Sequence, residues 1–407
     1  MNFEVVILGS DINAYYMARC CHEAYNKRAH LIAKEPMNFT RLSNILTIEY
    51  HPNLWDKEEF VAAINAYAKK HEEKTLLLIP SNDFYVRLLI ENKKKLNQNC
   101  IFHAISEKLL NNLLVKDNFY STFANSGLDL PNTLIFDCDS NQKLTKKDIK
   151  HFLFPIIVKP GDGVAYYKHK FPGQAKVYKL NSFEEVANVI KTIKKSGYTG
   201  KLIIQEFIPG GDDQLFDSIF YCDKNHKVKL VSFAQIGLQE HTHTGIGNCT
   251  VLVSGYNEHG DCTEQIEKMK KFLEKQKYCG FAEFDLKYDI RDHKYKVFEI
   301  NPRQARSSYY LCACGFNLVK YLVDDLILNK NLDFNVINKK MVLSFVPVSV
   351  INKYVLNNDL KAEIKKLKRQ KQFVDPLDYK KDNNFKRKIW LLIRKINYLK
   401  KYKNSEW

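Results

Sequence analysis

The sequence of 407 residues predicts an α/β protein that begins with a parallel sheet. Three patterns lead to this prediction. Short apolar runs alternate with helical patterns over residues 4–80, a second strand–helix–strand pattern covers residues 155–208, and two adjoining strands follow near residues 281–301. Strands that alternate with helices, as over residues 4–80, suggest a parallel sheet with helices on its faces. Apolar residues make up 45% of the chain and charged residues 27%, as in ordinary globular proteins.

The first strand, Glu4–Leu8, ends at Gly9-Ser10-Asp11, and a helical pattern continues to Tyr25. This turn lacks the G-x-G-x-x-G spacing, so it predicts no dinucleotide site. Further strands are predicted at residues 30–33, 45–49 and 75–80, with a helix at 58–70. The chain has no stretch of eighteen uncharged apolar residues, and its N-terminus has neither a basic region nor a small-residue cleavage site. We therefore expect a cytoplasmic protein.

Charge and cysteine usage exclude several classes of protein. None of the ten cysteines falls in a C-x-x-C pair, which favours buried thiols in a reducing compartment over a zinc site or a disulfide framework. The formal net charge is +17, but residues 361–407 alone hold 16 Lys or Arg and 5 Asp or Glu, a net of +11. The remaining 360 residues carry only +6, so the main body need not bind nucleic acid.

The middle of the chain continues the alternation of helices and strands. A single helix is predicted over Lys108–Ser126, and a strand over Pro155–Lys159 runs into a glycine-rich turn. A helix over Ser182–Lys195 and a strand over Lys201–Ile208 follow, and the strand stops at a Pro-Gly-Gly turn. Another helix is predicted over Thr263–Lys277.

Residues 281–301 predict a hairpin with an acidic face. Strand alternation places Asp285 on the polar face of the first strand, and Glu299 and Asn301 on one face of the second. With the loop centred on Asp292, Asp285 lies opposite Glu299 in the register that also matches the apolar faces. Opposed carboxylates are unfavourable unless a cation lies between them, and two carboxylates with an amide oxygen suit magnesium. The alternative is the solvated polar face of an amphipathic hairpin.

The segment FEINPR, residues 298–303, resembles the C-terminal metal-binding signature of the ATP-grasp superfamily. The resemblance implies an α/β ATP-grasp fold, with an N-terminal parallel-sheet (preATP-grasp) domain and two α+β subdomains that clamp ATP. It implies that Asp285, Glu299 and Asn301 hold magnesium, or manganese as an alternative, and that Arg303 contacts the transferred phosphoryl group or a substrate carboxylate. The implied domains are 1–115, 116–330 and a C-terminal extension at 331–407.

Three upstream features occur where this superfamily binds the nucleotide. The resemblance implies phosphate contacts from two lysines and a glycine loop, an adenine-binding strand exit, and an acidic residue for the ribose: Lys116, Lys159, Gly161, Gly163, Glu206, Phe207, Ile208 and Asp213, with Asp212 as the alternative to Asp213. Each feature alone has an ordinary alternative, namely a solvated lysine or a plain strand-to-turn exit. Their order over residues 100–320 favours the superfamily.

The segments ILGSDINAYYMAR and RQARSSYY, together with the hairpin, are similar to D-aspartate ligases of Gram-positive bacteria. This similarity implies that the β-carboxylate of D-aspartate is phosphorylated and that the lysine ε-amine of a cell-wall precursor then attacks it. Arg303, Arg306 and Ser307 would orient the dicarboxylic substrate. Two alternatives stay open: a ligase for another amino acid or dipeptide, and a non-catalytic ATP-binding scaffold at the membrane.

The loop QEHTHTGIGN, residues 239–248, is predicted to lie near the substrate. Its His241 and His243 are either metal ligands or ordinary loop residues. Two histidines without a third ligand do not define a metal site.

Residues 383–403 predict a basic amphipathic helix, capped by Asn383 or Asn384. Its apolar positions recur at helical spacing: Phe385, Ile389, Leu392 or Ile393, Ile396 and Leu399. One interpretation is an interfacial helix on anionic lipid with Trp390 at the boundary, which would make the protein peripheral on the inner face of the membrane. The other is that the apolar stripe docks on the protein's own body. A nucleic-acid role is not expected, because the helix lacks a basic-aromatic platform.

Overall fold

The computed structural model describes residues 2–240, 242, 245, 247–382 and 384–404, and only the backbone of Val164. The loop histidines His241 and His243 and the alternative cap Asn383 lie outside these described residues. The chain divides into two compact units. The larger unit contains the chain up to Glu107, Gly211–Phe284 and everything from Asn301 onward; the smaller contains Lys108–Gly210 and Asp285–Ile300. The domain boundaries implied by the resemblance stay predictions.

The larger unit begins with the predicted parallel sheet. Its elements are β1 (Phe3–Leu8), α1 (Ile12–Tyr25), β2 (Ala29–Ala33), α2 (Asn38–Arg41), β3 (Leu46–Tyr50), α3 (Lys57–Lys70), β4 (Thr75–Pro80), α4 (Asp83–Glu91) and β5 (Cys100–Ile101). The strands lie in the order β3-β2-β1-β4-β5 and pair in parallel. Val6 and Ile7 of β1 belong to separate apolar cores on the two faces of the sheet. The prediction of a parallel N-terminal sheet is therefore confirmed.

The smaller unit contains a second, antiparallel sheet. Its elements are α5 (Glu107–Leu114, whose first residue belongs to the larger unit), α6 (Lys116–Phe123), β6 (Thr133–Asp137), β7 (Ile156–Pro160), α7 (Gly163–Tyr166), β8 (Tyr178–Leu180), α8 (Phe183–Lys195) and β9 (Lys201–Glu206). The strands lie in the order β6-β9-β7-β8. Ser182 caps α8, whose buried residues Val186, Ile190 and Ile193 join the core of this unit.

The prediction of one helix over residues 108–126 is wrong. The chain forms α5 and α6 instead, and Val115 between them has an extended backbone with φ −92° and ψ 112°. Leu109, Leu110 and Leu113 are the buried residues of α5, and a straight continuation of their stripe would bury Asp117. The break resets the helical phase, so that α6 buries Phe119, Tyr120 and Phe123 instead.

The remaining elements build a long mixed sheet and the helices around it. They are β10 (Leu215–Cys222), β11 (Val228–Gln239), β12 (Cys249–Ser254), α9 (Thr263–Lys275), β13 (Gly280–Asp289), β14 (Lys294–Asn301), α10 (Tyr309–Ala313), α11 (Leu318–Leu326), β15 (Asn335–Ile337), β16 (Met341–Ser344), α12 (Val348–Tyr354), α13 (Asn358–Arg369), β17 (Phe373–Val374) and α14 (Phe385–Lys403). The strand order is β14-β13-β10-β11-β12-β16-β17, with β15 beside β11.

The predicted hairpin forms, as neighbouring strands β13 and β14 joined by residues 290–293. Both strands pass from one unit into the other, β13 after Phe284 and β14 after Ile300. Over the part of the chain that the structure describes, no helix combines the length and apolarity needed to cross a membrane.

Candidate active site

Two acidic side chains of the hairpin meet in the smaller unit. The carboxyl groups of Asp285, on β13, and Glu299, on β14, lie within hydrogen-bonding distance of each other, as the predicted register requires. Lys116 at the start of α6 donates from Nζ to Oε2 of Glu299 over 3.0 Å. The charge of Lys116 lowers the pKa of Glu299 to about 2, although burial opposes this shift. Glu299 is therefore an ionised oxygen donor at neutral pH, the form in which a carboxylate binds a metal.

Lys159, which belongs to β7, lies in the same cluster. Its Nζ donates to Oε1 of Gln205 over 3.1 Å and lies 5.5 Å from the ring centre of Tyr120. Burial and, less strongly, the nearby charge of Lys116 lower the pKa of Lys159 to about 7, although the charge of Glu299 opposes this shift. The amino groups of the two lysines favour a polyanionic ligand, because its negative charge would raise the pKa of Lys159 and so favour the protonated form.

Part of the glycine turn after β7 already makes a backbone hydrogen bond within the protein. Gly161 donates its N–H to the carbonyl of Lys201 over 2.8 Å, so this N–H is already paired. A Cβ at Gly161 would lie 3.2 Å from Oδ1 of Asp117 and 3.2 Å from the Lys201 carbonyl, which explains the need for a small residue there. Gly163 begins α7 and faces open space. The predicted phosphate approach is thus better suited to Gly163 than to Gly161.

The predicted adenine-binding segment follows directly after β9. The N–H of Glu206 donates to the carbonyl of Asn132 over 3.1 Å, and its Oε1 accepts from the N–H of Asn132 over 2.8 Å. Arg291 also binds Glu206, with Nη2 3.2 Å from Oε2. Lys287 lies over the ring of Phe207 and donates to the carbonyl of Gly210 over 2.7 Å. Ile208 is buried. The strand exit is therefore held rigidly on both sides of Phe207.

Arg303 lies in the larger unit, where the side chains of Asp83, Glu283 and Asn301 surround its guanidinium. Nε is 2.9 Å from Oδ1 of Asp83, Nη1 is 3.3 Å from Oε2 of Glu283, and Nη2 donates to Oδ1 of Asn301 over 3.1 Å. Burial would lower the pKa of Arg303, but the carboxylates of Asp83 and Glu283 outweigh it and raise the pKa. Arg303 thus orients the side-chain amide of Asn301.

Ser307 and Arg306 follow Arg303 but have different surroundings. Ser307 donates a short hydrogen bond to Oδ2 of Asp217, and both residues are buried. Burial raises the pKa of Asp217 to about 6, while the hydrogen bonds from Ser307 and Tyr310 oppose this shift. Arg306 lies 5.2 Å from the ring centre of Phe345, and its buried Nε has no hydrogen-bond partner among the described residues. An unpaired buried donor of this kind marks a place that an anionic ligand would complete.

Asp213, the predicted ribose acceptor, also lies in the larger unit. Its Oδ2 accepts from Asn357 over 3.1 Å and from Gln214 over 3.4 Å. The alternative, Asp212, accepts from the side chain of Gln239 over 2.6 Å and from its N–H over 2.9 Å. Because Asp212 is tied more tightly to the protein, Asp213 stays the better candidate of the two.

Sequence reasoning missed three acidic residues of this region. Glu283 lies two residues before Asp285 on the same face of β13, so strand alternation was a usable signal. Asp83 follows β4 at the carboxyl edge of the parallel sheet, where α/β proteins place ligand-binding groups. Asp217 gave no local signal, because it lies inside the apolar run of β10.

Comparison with known proteins gives the family. No protein-family model matches the chain. The D-aspartate ligase of Enterococcus faecium (strain Aus0004) is 32% identical over 414 residues, which cover 98% of this chain and 96% of that enzyme. The chain belongs to the D-aspartate ligase family.

Comparison with solved structures shows which fold this chain adopts. The ADP complex of N5-carboxyaminoimidazole ribonucleotide synthetase is 15% identical, with a TM-score of 0.59 over 84% of this chain and 81% of that one. The L-amino acid ligase from Bacillus licheniformis is 14% identical, with a TM-score of 0.55 over 80% and 74%. These likenesses confirm the predicted ATP-grasp fold. This chain is accordingly an ATP-dependent carboxylate–amine ligase that forms ADP.

Proposed function

We propose that this chain uses magnesium and ATP to phosphorylate the β-carboxylate of D-aspartate and joins the acyl group to the ε-amine of a lysine in a peptidoglycan precursor. The reaction would take place in the cytoplasm, at or near the inner face of the membrane. The observation that carries the proposal is the 32% identity to the D-aspartate ligase of Enterococcus faecium along 98% of this chain. The arrangement of charged side chains supports it.

The donor set fits a magnesium ion. Asp285 and Glu299 would supply carboxylate oxygens and Asn301 an amide oxygen, which are the hard donors that magnesium prefers. The pKa of Glu299, lowered to about 2, keeps this donor ionised throughout the physiological range. Bound magnesium would supply charge neutralisation at the phosphates of the nucleotide.

The nucleotide would lie against the lysines and turns of the predicted clamp. Lys116 and Lys159 would hold the phosphates as point charges, and the turn at Gly161 and Gly163 would let the backbone approach them. The adenine edge would contact Glu206, Phe207 and Ile208. The ribose would contact Asp213. Glu206 is braced by Asn132 and Arg291, which makes the strand exit a rigid platform.

The substrate carboxylates would be held by arginines. Arg306 is the better candidate for direct binding, because its buried Nε lacks a partner among the described residues. Arg303 already contacts Asp83, Glu283 and Asn301, so it would act mainly by orienting Asn301 and by adding positive charge. Ser307 donates to Asp217, which leaves its oxygen lone pairs to accept from the α-ammonium group of an amino acid.

The chemistry requires two transfers. A carboxylate oxygen of the amino acid attacks the γ-phosphorus, the bond from that phosphorus to the β,γ-bridging oxygen breaks, and ADP leaves. The amine then attacks the acyl carbon, inorganic phosphate leaves, and the amine loses a proton. The first transfer needs mainly positioning and positive charge, which the two lysines and the arginines supply.

A hydroxylamine trap tests the proposal directly. With magnesium and ATP, D-aspartate should yield a hydroxamate and phosphate, whereas L-aspartate, D-glutamate and D-alanine should yield much less. Adding a lysine-containing precursor in place of hydroxylamine should give the amide. If another amino acid gives the dominant hydroxamate, the chain is a ligase of different specificity. If no amino acid gives one while ATP still binds, the chain is a scaffold and the proposed reaction is wrong.

A further inference from the structure

The apolar side of α14 faces away from the protein. Six residues of this helix keep between 41% and 76% of their surface exposed: Phe385, Ile389, Leu392, Ile393, Ile396 and Leu399. At about 100° per residue they fall on one continuous stripe along the helix. The alternative in which this stripe docks on the protein's own body is therefore wrong. The surfaces of soluble proteins ordinarily carry single exposed apolar residues, and a continuous stripe of six is unusual.

The inward side of α14 buries two arginines and two tyrosines and is fixed to the larger unit. Arg387 donates from Nη1 to the carbonyl of Phe39 over 2.9 Å, and its Cζ lies 3.8 Å from the ring centre of Tyr15. Arg394 donates to the carbonyl of Phe345 over 2.9 Å. Surface helices of globular proteins ordinarily have the opposite arrangement, with apolar residues inside. The buried arginines therefore hold α14 in one rotational setting, and that setting presents the apolar stripe outward.

The last turn and the indole of α14 add to this attachment. The hydroxyl of Tyr402 donates to the carbonyl of Gln239 over 2.6 Å and bonds Oγ1 of Thr250 over 2.7 Å. Trp390 packs edge-on against Phe39, with ring centres 5.4 Å apart. Trp390 is half-buried and helps to anchor the helix, and its place at a lipid boundary stays a prediction.

Lysines surround the apolar stripe. Residues 385–403 contain eight Lys or Arg and neither Asp nor Glu. With Arg387 and Arg394 turned inward, Lys386, Lys388, Lys400 and Lys403 are exposed on α14. This combination is attracted to a surface that is both negatively charged and apolar beneath its charges. A second copy of the same face would bring like charges together instead.

From these observations we infer that the outward face of α14 is a preformed docking surface for anionic phospholipid. The helix would lie parallel to the membrane, with the stripe Phe385–Leu399 among the upper acyl chains and the exposed lysines at the headgroup phosphates. Because the arginines are structural, lipid binding depends on the apolar residues and the lysines. The surface gives the proposed location a physical basis, and it does not depend on the proposed reaction.

Cosedimentation of the full chain with phospholipid vesicles tests this inference. Wild type should bind vesicles of phosphatidylglycerol and phosphatidylcholine at least about tenfold more tightly than vesicles of phosphatidylcholine alone, and added salt should weaken the binding. Ile396→Glu should weaken binding to the anionic vesicles by about tenfold or more, since it places a charge in the stripe. Asn397→Glu is the matched control, because it adds the same charge at the next exposed position, beside the stripe.

Both variants should unfold at the temperature of wild type and should form the hydroxamate at the wild-type rate. A failure of the hydroxamate reaction in all three proteins leaves the vesicle result intact, so the two proposals are tested separately. The inference is overturned if wild type ignores the anionic vesicles, or if Ile396→Glu and Asn397→Glu weaken binding equally. It is also overturned if light scattering shows a dimer that Ile396→Glu splits, because the face would then be an interface between two copies.

Discussion

Lys116 and Glu299 form an ion pair in the smaller unit, with Nζ of the lysine 3.0 Å from Oε2 of the glutamate. The two residues are 183 positions apart in the chain, and each keeps about two-fifths of its side chain exposed, at 41% and 39%. The pair keeps Glu299 ionised and places a cation beside the candidate metal ligands. Its contribution to stability is small, because solvent screens a half-exposed pair.

Glu299→Gln should therefore remove activity without unfolding the protein. We expect kcat/KM for D-aspartate to fall by about 10²–10³ and the free energy of unfolding to change by about 1 kcal/mol or less. Hydroxamate formation over a magnesium titration and a urea unfolding curve measure the two effects. Glu184→Gln is the matched control, since Glu184 forms an exposed ion pair with Lys146 in the same unit. Equal losses in the two variants would contradict the assigned role of Glu299.

Lys159 should make nucleotide binding depend on pH. Its pKa is lowered to about 7 by burial, and nearby phosphates would raise it again. A group whose pKa rises on binding takes up protons, so affinity should be greatest below about pH 7 and should fall as the pH rises above it. Calorimetry in buffers of different ionisation enthalpy should show this uptake for wild type and not for Lys159→Met. Lys191→Met, at an exposed position of α8, should behave as wild type; if Lys159→Met does too, Lys159 does not contact the nucleotide.

Arg306→Gln should raise the KM for D-aspartate by about 10-fold to 100-fold, because a charge-assisted hydrogen bond contributes about 1.5–3 kcal/mol. The KM for ATP should change little, since the effect is assigned to the amino acid. Arg306→Lys keeps the charge but lacks Nε, so it should recover only part of the affinity. Steady-state kinetics with each substrate varied in turn give both constants. Arg369→Gln, at an exposed arginine, is the control, and a rise in the KM for ATP alone would refute the assignment.

Arg387 and Asp382 form a fully buried ion pair, with Nε 3.5 Å from Oδ2. Asp382 also accepts from Oγ of Ser43 over 2.8 Å and from the N–H of Asn44 over 2.6 Å. Arg387→Met should destabilise the protein by about 3–5 kcal/mol, because it leaves the carboxylate buried without a cation. The double variant Arg387→Met, Asp382→Asn should recover much of that loss. Thermal unfolding compares the three proteins, and a single variant as stable as wild type would contradict this account of how α14 is held.

Local patterns predicted much of the fold and part of the candidate site. The alternation of strands and helices predicted the N-terminal parallel sheet. Strand alternation in the hairpin predicted that Asp285 and Glu299 lie opposite each other. Both inferences rest on the periodicity of neighbouring residues, which holds wherever one face of an element is buried. The break at Val115 was missed because each half of the segment is helical by itself. Only the mismatch between the two buried stripes separates them.

The amino-acid sequence determined the elements, the acidic hairpin and the family resemblance, since these depend on residue types at fixed spacing. Tertiary structure decided which charged and polar groups meet. It paired Arg303 with Asp83 and Glu283, paired Gly161 with the carbonyl of Lys201, and turned the arginines of α14 inward. Spacing shows that a helix is amphipathic, but the side that it buries depends on hydrogen-bond partners distant in the chain. For α14 those partners are backbone carbonyls, which carry no signature in the sequence.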